Sequence, residues 1–228
     1  MEQKKNIQLS PSALSLYKEC TKCFWLHRVK GIYRPKPSFA LQNVFDEIIK
    51  EYFDMFRKAG KMPPEIKNKV QGQLMPDIDL LNKWRNALNP ALRYVHPKYD
   101  NFSLAGGIDD CLYDEDKKVY IPIDFKTTGS DNYDKNSIKY YQHQLDIYSF
   151  LLKQNGYPTN DKAYLIYYKP KTVLGEGVVK FKIIVKEMQT SDERALGLFE
   201  EGIKALQGPM PDSHKWCDFC KWVNEYIE

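Results

Sequence analysis

Two Cys-x-x-Cys pairs sit at opposite ends of this 228-residue chain, Cys20 with Cys23 and Cys217 with Cys220. One such pair is common. Two pairs, with Cys111 as the sole other cysteine, suggest a four-cysteine metal site more than disulfides in a reducing compartment. A shared site would tie the tail back onto the first helix and staple the fold. Two-plus-two thiolates suit zinc, and an iron–sulfur cluster is the other chemistry they allow. Cys111 lies in a strand-like run and reads as a small core residue.

Between the pairs the chain has the material for a core. Hydrophobic residues make up 43% and aromatics 14%, which excludes disorder. The net charge of +4 permits a nucleic-acid partner without demanding one. No run approaches ~18 apolar residues, so no membrane span is expected. MEQKKNIQLSPS lacks the apolar run of a signal peptide, and a cytoplasmic location follows.

The periodicity predicts a mixed α/β chain. Ser10-Pro11 opens a helix that runs to about Val29. A second helix spans about Phe39 to Lys58, with Leu41, Val44, Phe45, Ile48, Ile49 and Phe53 as one broad apolar face. A shorter one covers Leu80 to Leu88. Leu104 to Tyr113 reads as a strand opened by Gly106-Gly107, residues 114–118 as a charged turn, and Val119 to Thr127 as the next strand. Ser137 to Gln154 is an amphipathic helix stopped by Gly156 and Pro158. Strands follow at about Lys162–Tyr168 and Val178–Met188. Ser191 caps a last helix that ends before Gly208.

Asp124 and Lys126 are two apart on the Val119–Thr127 strand, so they share one face, while Ile121, Ile123 and Phe125 point to the other. The plain alternative is an ion pair on an edge strand. Pairing through the turn would set Asp109 beside Asp124. Adjacent carboxylates repel, and a divalent cation relieves that; hard oxygen ligands suit Mg²⁺ or Mn²⁺. Ile108 and Leu112 share a face with Asp110, so that face looks apolar and Asp109 looks like the ligand.

The run GGIDD…IPIDFKTTG resembles the PD-(D/E)XK motif of RecB-like nucleases, and QHQLDIYSFLL resembles that family's Q-x-x-x-Y helix. LSPSALSLYKEC looks like its opening helix. The resemblance implies a restriction-endonuclease-like core, a central mixed sheet flanked by helices, with residues 1–228 forming one domain. Segments 10–30 and 209–228 would then form the cysteine module. It implies Asp109 and Asp124 as metal ligands, the Phe125 carbonyl as a further ligand, and Lys126 as the catalytic lysine. Gln144 and Tyr148 would position the lysine or the substrate. Many relatives carry a metal-binding histidine on the second helix. LQNVFDEII has none; Asp46 stands near that place, either as a substitute oxygen ligand or as a helix-surface acid. Iron–sulfur members, the CRISPR-adaptation and AddB-type nucleases, hold a 4Fe-4S cluster on one N-terminal and three C-terminal cysteines; the split here differs, but the resemblance favours a 4Fe-4S cluster on Cys20, Cys23, Cys217 and Cys220, with zinc as the alternative.

The expected activity is therefore Mg²⁺- or Mn²⁺-dependent hydrolysis of DNA phosphodiesters, in repair, recombination or CRISPR adaptation, beside a helicase or integrase-type partner. The alternatives are a non-catalytic nucleic-acid-binding subunit with the same fold, and a structural protein whose metal is zinc. His27, Arg28, Lys30, Arg34 and Lys36, with Trp25 and Tyr33 interleaved, and Lys135 and Lys139 farther on, are candidate phosphate contacts.

Overall fold

A computed structural model describes residues 6–35, 40–132 and 137–227. Lys36, Phe39 and Lys135 lie outside them.

Ser10 caps helix α1 (Pro11–Glu19), its hydroxyl accepting from the Ala13 N–H at 3.2 Å, with proline at the first position. The helix expected to reach Val29 breaks at Cys20, whose extended backbone leads into α2 (Thr21–Trp25) and one π turn, Leu26–Lys30. Gly31 ends the segment with φ +68°, a conformation that suits glycine.

Helix α3 (Ala40–Lys58) buries a narrower face than its periodicity suggests. Ile49 and Phe53 are buried and Phe45 partly so, whereas Leu41, Val44 and Ile48 are exposed. The helix meets the sheet along one side, so only the stripe through Phe45, Ile49 and Phe53 finds partners: Phe45 stacks on Phe181, and Phe53 meets Phe125 edge-on. Helix α4 (Ile78–Arg85) is capped by Asp77.

The stretch read as one strand from Leu104 to Tyr113 is two. Strand β1 (Ile7–Leu9) pairs parallel with β4 (Tyr99–Ala105), which pairs with β3 (Arg93–His96) in a three-stranded sheet. Strand β5 (Asp110–Asp114) belongs to the main sheet. Gly106 and Gly107 carry the chain from one to the other through a gap too tight for a side chain. A Cβ on Gly107 would lie 2.9 Å from the Arg85 carbonyl oxygen, and one on Gly106 would lie 2.8 Å from Pro11 Cδ.

The main sheet has the order β2-β5-β6-β7-β8, built from β2 (Gln73–Leu74), β5, β6 (Val119–Thr127), β7 (Lys162–Val173) and β8 (Val179–Gln189). Strands β6 and β7 run parallel; the other neighbours are antiparallel. Helix α5 (Gln142–Gln154) follows a π turn at Ser137–Tyr141, α6 (Asp192–Gln207) is capped by Ser191, and a helix not expected from the sequence, α7 (Asp218–Ile227), closes the chain. Alternation along β7 sends Ile166 and Tyr168 to the α3 side with Ile121, Ile123 and Phe125. Leu165 and Tyr167 face the opposite core with Leu145, Leu151, Phe199 and Ile203. Helix α5 is therefore covered on most sides and not amphipathic; everything from Leu145 to Leu152 is buried. Among the described residues no helix is long and apolar enough to cross a membrane.

Candidate active site and cysteine metal site

Strand β6 is central, and Asp124 is fully buried on it, which removes the reading of an edge-strand ion pair. Asp110 pairs with Ile123 across the β5–β6 ladder, so the preceding residue falls opposite Asp124. Asp109 Oδ2 accepts from the Phe125 N–H at 3.2 Å. A strand residue sends its N–H and C=O toward the same neighbour, so the Phe125 carbonyl is turned to the Asp109 side as well. Lys126 is ion-paired with Asp124 and stands 5.1 Å from the Tyr141 ring centre.

Gln144 and Tyr148, one helical turn apart on α5, both reach this face. Gln144 Nε2 donates to Asp124 Oδ1 at 3.0 Å and to the Tyr148 hydroxyl. The five residues that the motif singles out, Asp109, Asp124, Lys126, Gln144 and Tyr148, are thus brought together. Asp46 is half-buried and lines a cavity of about 250 Å³ with Phe125, Lys126 and Tyr141.

Two contributors escaped the sequence reading. Lys50 bridges Asp46 at 2.5 Å and Asp109 at 3.0 Å; its i,i+4 spacing from Asp46 was the available signal. Arg85 donates Nε to the Asp109 carbonyl at 2.8 Å and ties Asp110 to Asp54. Asp110 does not face apolar surroundings alone, as Ile108 and Leu112 implied: it is fully buried between Arg57 and Arg85. A buried carboxylate needs that pairing.

The two neighbouring acids differ in proton affinity. Burial would raise Asp109, but the Lys126 and Lys50 ammoniums outweigh it and hold its carboxyl below the usual range. Burial pushes Asp124 up to about 7; Lys126 opposes the rise and Asp109 adds to it. Burial works against the Lys126 charge, yet Asp124 and Asp109 keep it firmly protonated. Burial and Coulombic repulsion from Asp109 raise Asp46, against the pull of Lys50.

A divalent cation fits the Asp109–Asp124 pair. Both offer hard oxygens and their mutual repulsion would be relieved; in the metal-free fold Asp124 Oδ2 is held by the Lys126 ammonium, a charge that a cation would replace. The fit is weaker for Asp46, because Lys50 stands between it and Asp109.

At the other metal candidate, the α1–α2 segment meets the start of α7. Cys23 Sγ lies 3.7 Å from Cys217 Sγ and 3.5 Å from Cys220 Sγ, and Cys20 lies 3.8 Å from Cys220. All four sulfurs fall within 4.8 Å of one another, and among the described residues no other His, Cys, Asp or Glu group of three or more converges as closely. Burial opposes the Cys20 thiolate, yet the backbone at Cys23 and His214 favours it and brings the thiol down to about 7. Burial raises Cys23 and Cys220. Arg34, a candidate phosphate contact from the sequence, is committed here. It pairs with Glu19 at 2.7 Å, donates to Cys217 Sγ at 3.3 Å and lies 4.7 Å from the Phe219 ring centre. Cys111 is buried in the core, as expected.

No curated protein matches the chain. A scan against protein families matches residues 8–224 to the PD-(D/E)XK nuclease superfamily, a span that takes in both cysteine pairs and the whole acid–lysine site. The chain belongs to the PD-(D/E)XK nuclease superfamily.

Proposed function

We propose that this protein is a divalent-metal-dependent deoxyribonuclease whose centre is Asp109, Asp124 and Lys126. The observation that carries the reading is one fully buried carboxylate, Asp124, held simultaneously beside Asp109, Gln144 and Lys126, the last of which lines an open cavity. A structural ion pair would need only one of those neighbours.

Asp109, Asp124 and the Phe125 carbonyl would hold Mg²⁺ or Mn²⁺, which supplies an activated water and screens phosphate charge. Lys50 would then turn from Asp109 toward Asp46. Lys126 carries its full charge at neutral pH and faces the cavity, where it can hold the attacking water or balance charge developing on the phosphate. Gln144 fixes the Asp124 carboxylate by Oδ1; Oδ2, paired with Lys126 in the metal-free fold, would turn from that ammonium to the metal. Tyr148 is held neutral by burial and anchors Gln144. End-labelled DNA, cut in Mn²⁺ or Mg²⁺ by the wild type and not by Asp124→Ala or Lys126→Ala, is the expected result. Folded, metal-loaded wild type that binds DNA without cutting it would favour the non-catalytic binding subunit instead.

For the cysteine site the sulfur spacing supports one tetrahedral ion. Zinc–sulfur bonds of ~2.3 Å put the corners of a tetrahedron ~3.8 Å apart, close to the separations here. A four-iron cluster binds each thiolate through its own iron at a separate corner, which demands a wider spread than 4.8 Å. Elemental analysis of anaerobically purified protein should find one zinc per chain; four irons with labile sulfide would reverse the assignment.

A further inference from the structure

Beside the Ser137–Tyr141 turn lies a groove of about 760 Å³ bounded by α1, that turn and the start of α7. Its aromatic side chains are left in water: Tyr140 is 46% exposed, Trp216 68% and Phe219 39%. Such exposure excludes a core role for them. Each ring also carries a cation. Lys139 lies 4.8 Å from the Tyr140 ring centre, Lys215 and Lys221 lie 5.2 and 5.7 Å from that of Trp216, and Arg34 sits over Phe219. Lys18 adds a further positive charge to the wall. Of the two acids lining the groove, Glu19 is neutralised by Arg34, which leaves Asp218.

Two further observations point to a ligand. His143 lines the groove and is 7% exposed; its Nε2 meets Ser15 Oγ at 2.7 Å, while its Nδ1 has no hydrogen-bond partner among the described residues. The groove also adjoins the acid cavity. Tyr140 lines the groove, the next residue, Tyr141, lines the cavity beneath Lys126, and their ring centres are 6.4 Å apart.

We infer that this groove binds single-stranded DNA, with bases stacked on Tyr140 and Trp216 and phosphates facing Lys18, Lys139, Lys215 and Lys221, and delivers the strand to the acid cavity. The inference rests on the nuclease reading for its direction but not for its binding chemistry. Exposed ring faces reward unstacked bases, and a duplex keeps its base faces inside its own stack. An apolar peptide would not require three exposed lysines around two rings and a fourth on the wall.

The test is binding of fluorescein-labelled oligo(dT) and of a hairpin duplex to full-length protein carrying Asp124→Asn, which prevents cutting. Oligo(dT) should bind more tightly than the duplex. Tyr140→Ala and Trp216→Ala should each weaken oligo(dT) binding about tenfold and leave the weak duplex binding unchanged. Trp216→Phe keeps a ring and should retain most of the affinity, which separates stacking from damage to the neighbouring cysteine site. Equal affinity for duplex and single strand, or unchanged oligo(dT) affinity in folded Tyr140→Ala and Trp216→Ala proteins, overturns the groove. Ring-dependent oligo(dT) binding by a wild type that never cuts would leave the groove standing and remove the nuclease.

Discussion

Asp124 shows how one residue couples folding to the chemistry proposed for it. Its carboxyl is raised from 3.8 to about 7 in the metal-free fold, chiefly by burial. Between those values the folded state binds a proton that the unfolded state has released. Stability should therefore fall as pH rises from about 4 to about 7, by an amount on the order of a few kcal/mol. Asp124→Asn, which carries no charge to lose, should flatten that slope in thermal melts of metal-free protein. Mn²⁺ must displace the same proton, so its affinity should climb with pH up to about 7 and level off above. A melting temperature with equal pH dependence in wild type and Asp124→Asn would show that the burial cost is carried elsewhere. Arg85 belongs to the same scale. Arg85→Ala leaves Asp54 and Asp110 sharing Arg57 alone, and a buried network broken on one side costs about 3 kcal/mol or more. A circular-dichroism melt shifted by only a degree or two would show that Arg57 suffices.

The elements were legible to different depths. Strand β6 was read residue for residue, because strict alternation of Val119, Ile121, Ile123 and Phe125 with Tyr120, Pro122, Asp124 and Lys126 has one interpretation in an extended chain. The Gln144–Tyr148 pairing was equally visible, since i,i+4 positions must share a face. The split of the 104–113 stretch was hidden. Gly106-Gly107 is a local signal, but its cause is tertiary: the backbone passes the Arg85 carbonyl and Pro11, both far away in sequence. The break at Cys20 was hidden too, because no glycine or proline marks it in the sequence. Lys50 and Arg85 could not be assigned because surface and buried basic residues look alike until their acids are located. The glycine crossing also has a measurable consequence. A methyl group at residue 107 would press on backbone that cannot yield like a side chain, and the connection leads directly into Asp109. Gly107→Ala should cost roughly 1–3 kcal/mol in stability and weaken Mn²⁺ binding by displacing Asp109. Calorimetry giving wild-type Mn²⁺ affinity with a wild-type melting temperature would mean that the crossing has slack.

For the whole molecule, the two ends depend on the cysteine site unequally, although the sequence suggested a staple that both would need. The N-terminal segment has its own claim on the core: Leu9, Leu14 and Phe24 are fully buried, and Gly202 on α6 leaves room for Leu14. The tail has far less. Apart from Cys217 and Cys220, the anchors of its described residues include the Thr21 hydroxyl on the Asp212 carbonyl at 3.3 Å and the Arg34–Phe219 contact, while Trp216 and Trp222 are largely exposed. Metal removal should therefore release the chain beyond Gly208 and leave the α/β core folded, in contrast to small zinc domains that unfold outright. Limited proteolysis after treatment with a strong chelator should cut between Gly208 and Cys217 and leave a stable fragment ending near α6. Far-ultraviolet circular dichroism should retain most of its signal. The fragment should also lose oligo(dT) binding, because Trp216, Phe219, Lys215 and Lys221 leave with the tail. Global loss of structure on chelation would show that the ion holds the core as well as its end, whereas an unaltered digestion pattern would show that the tail packs without it.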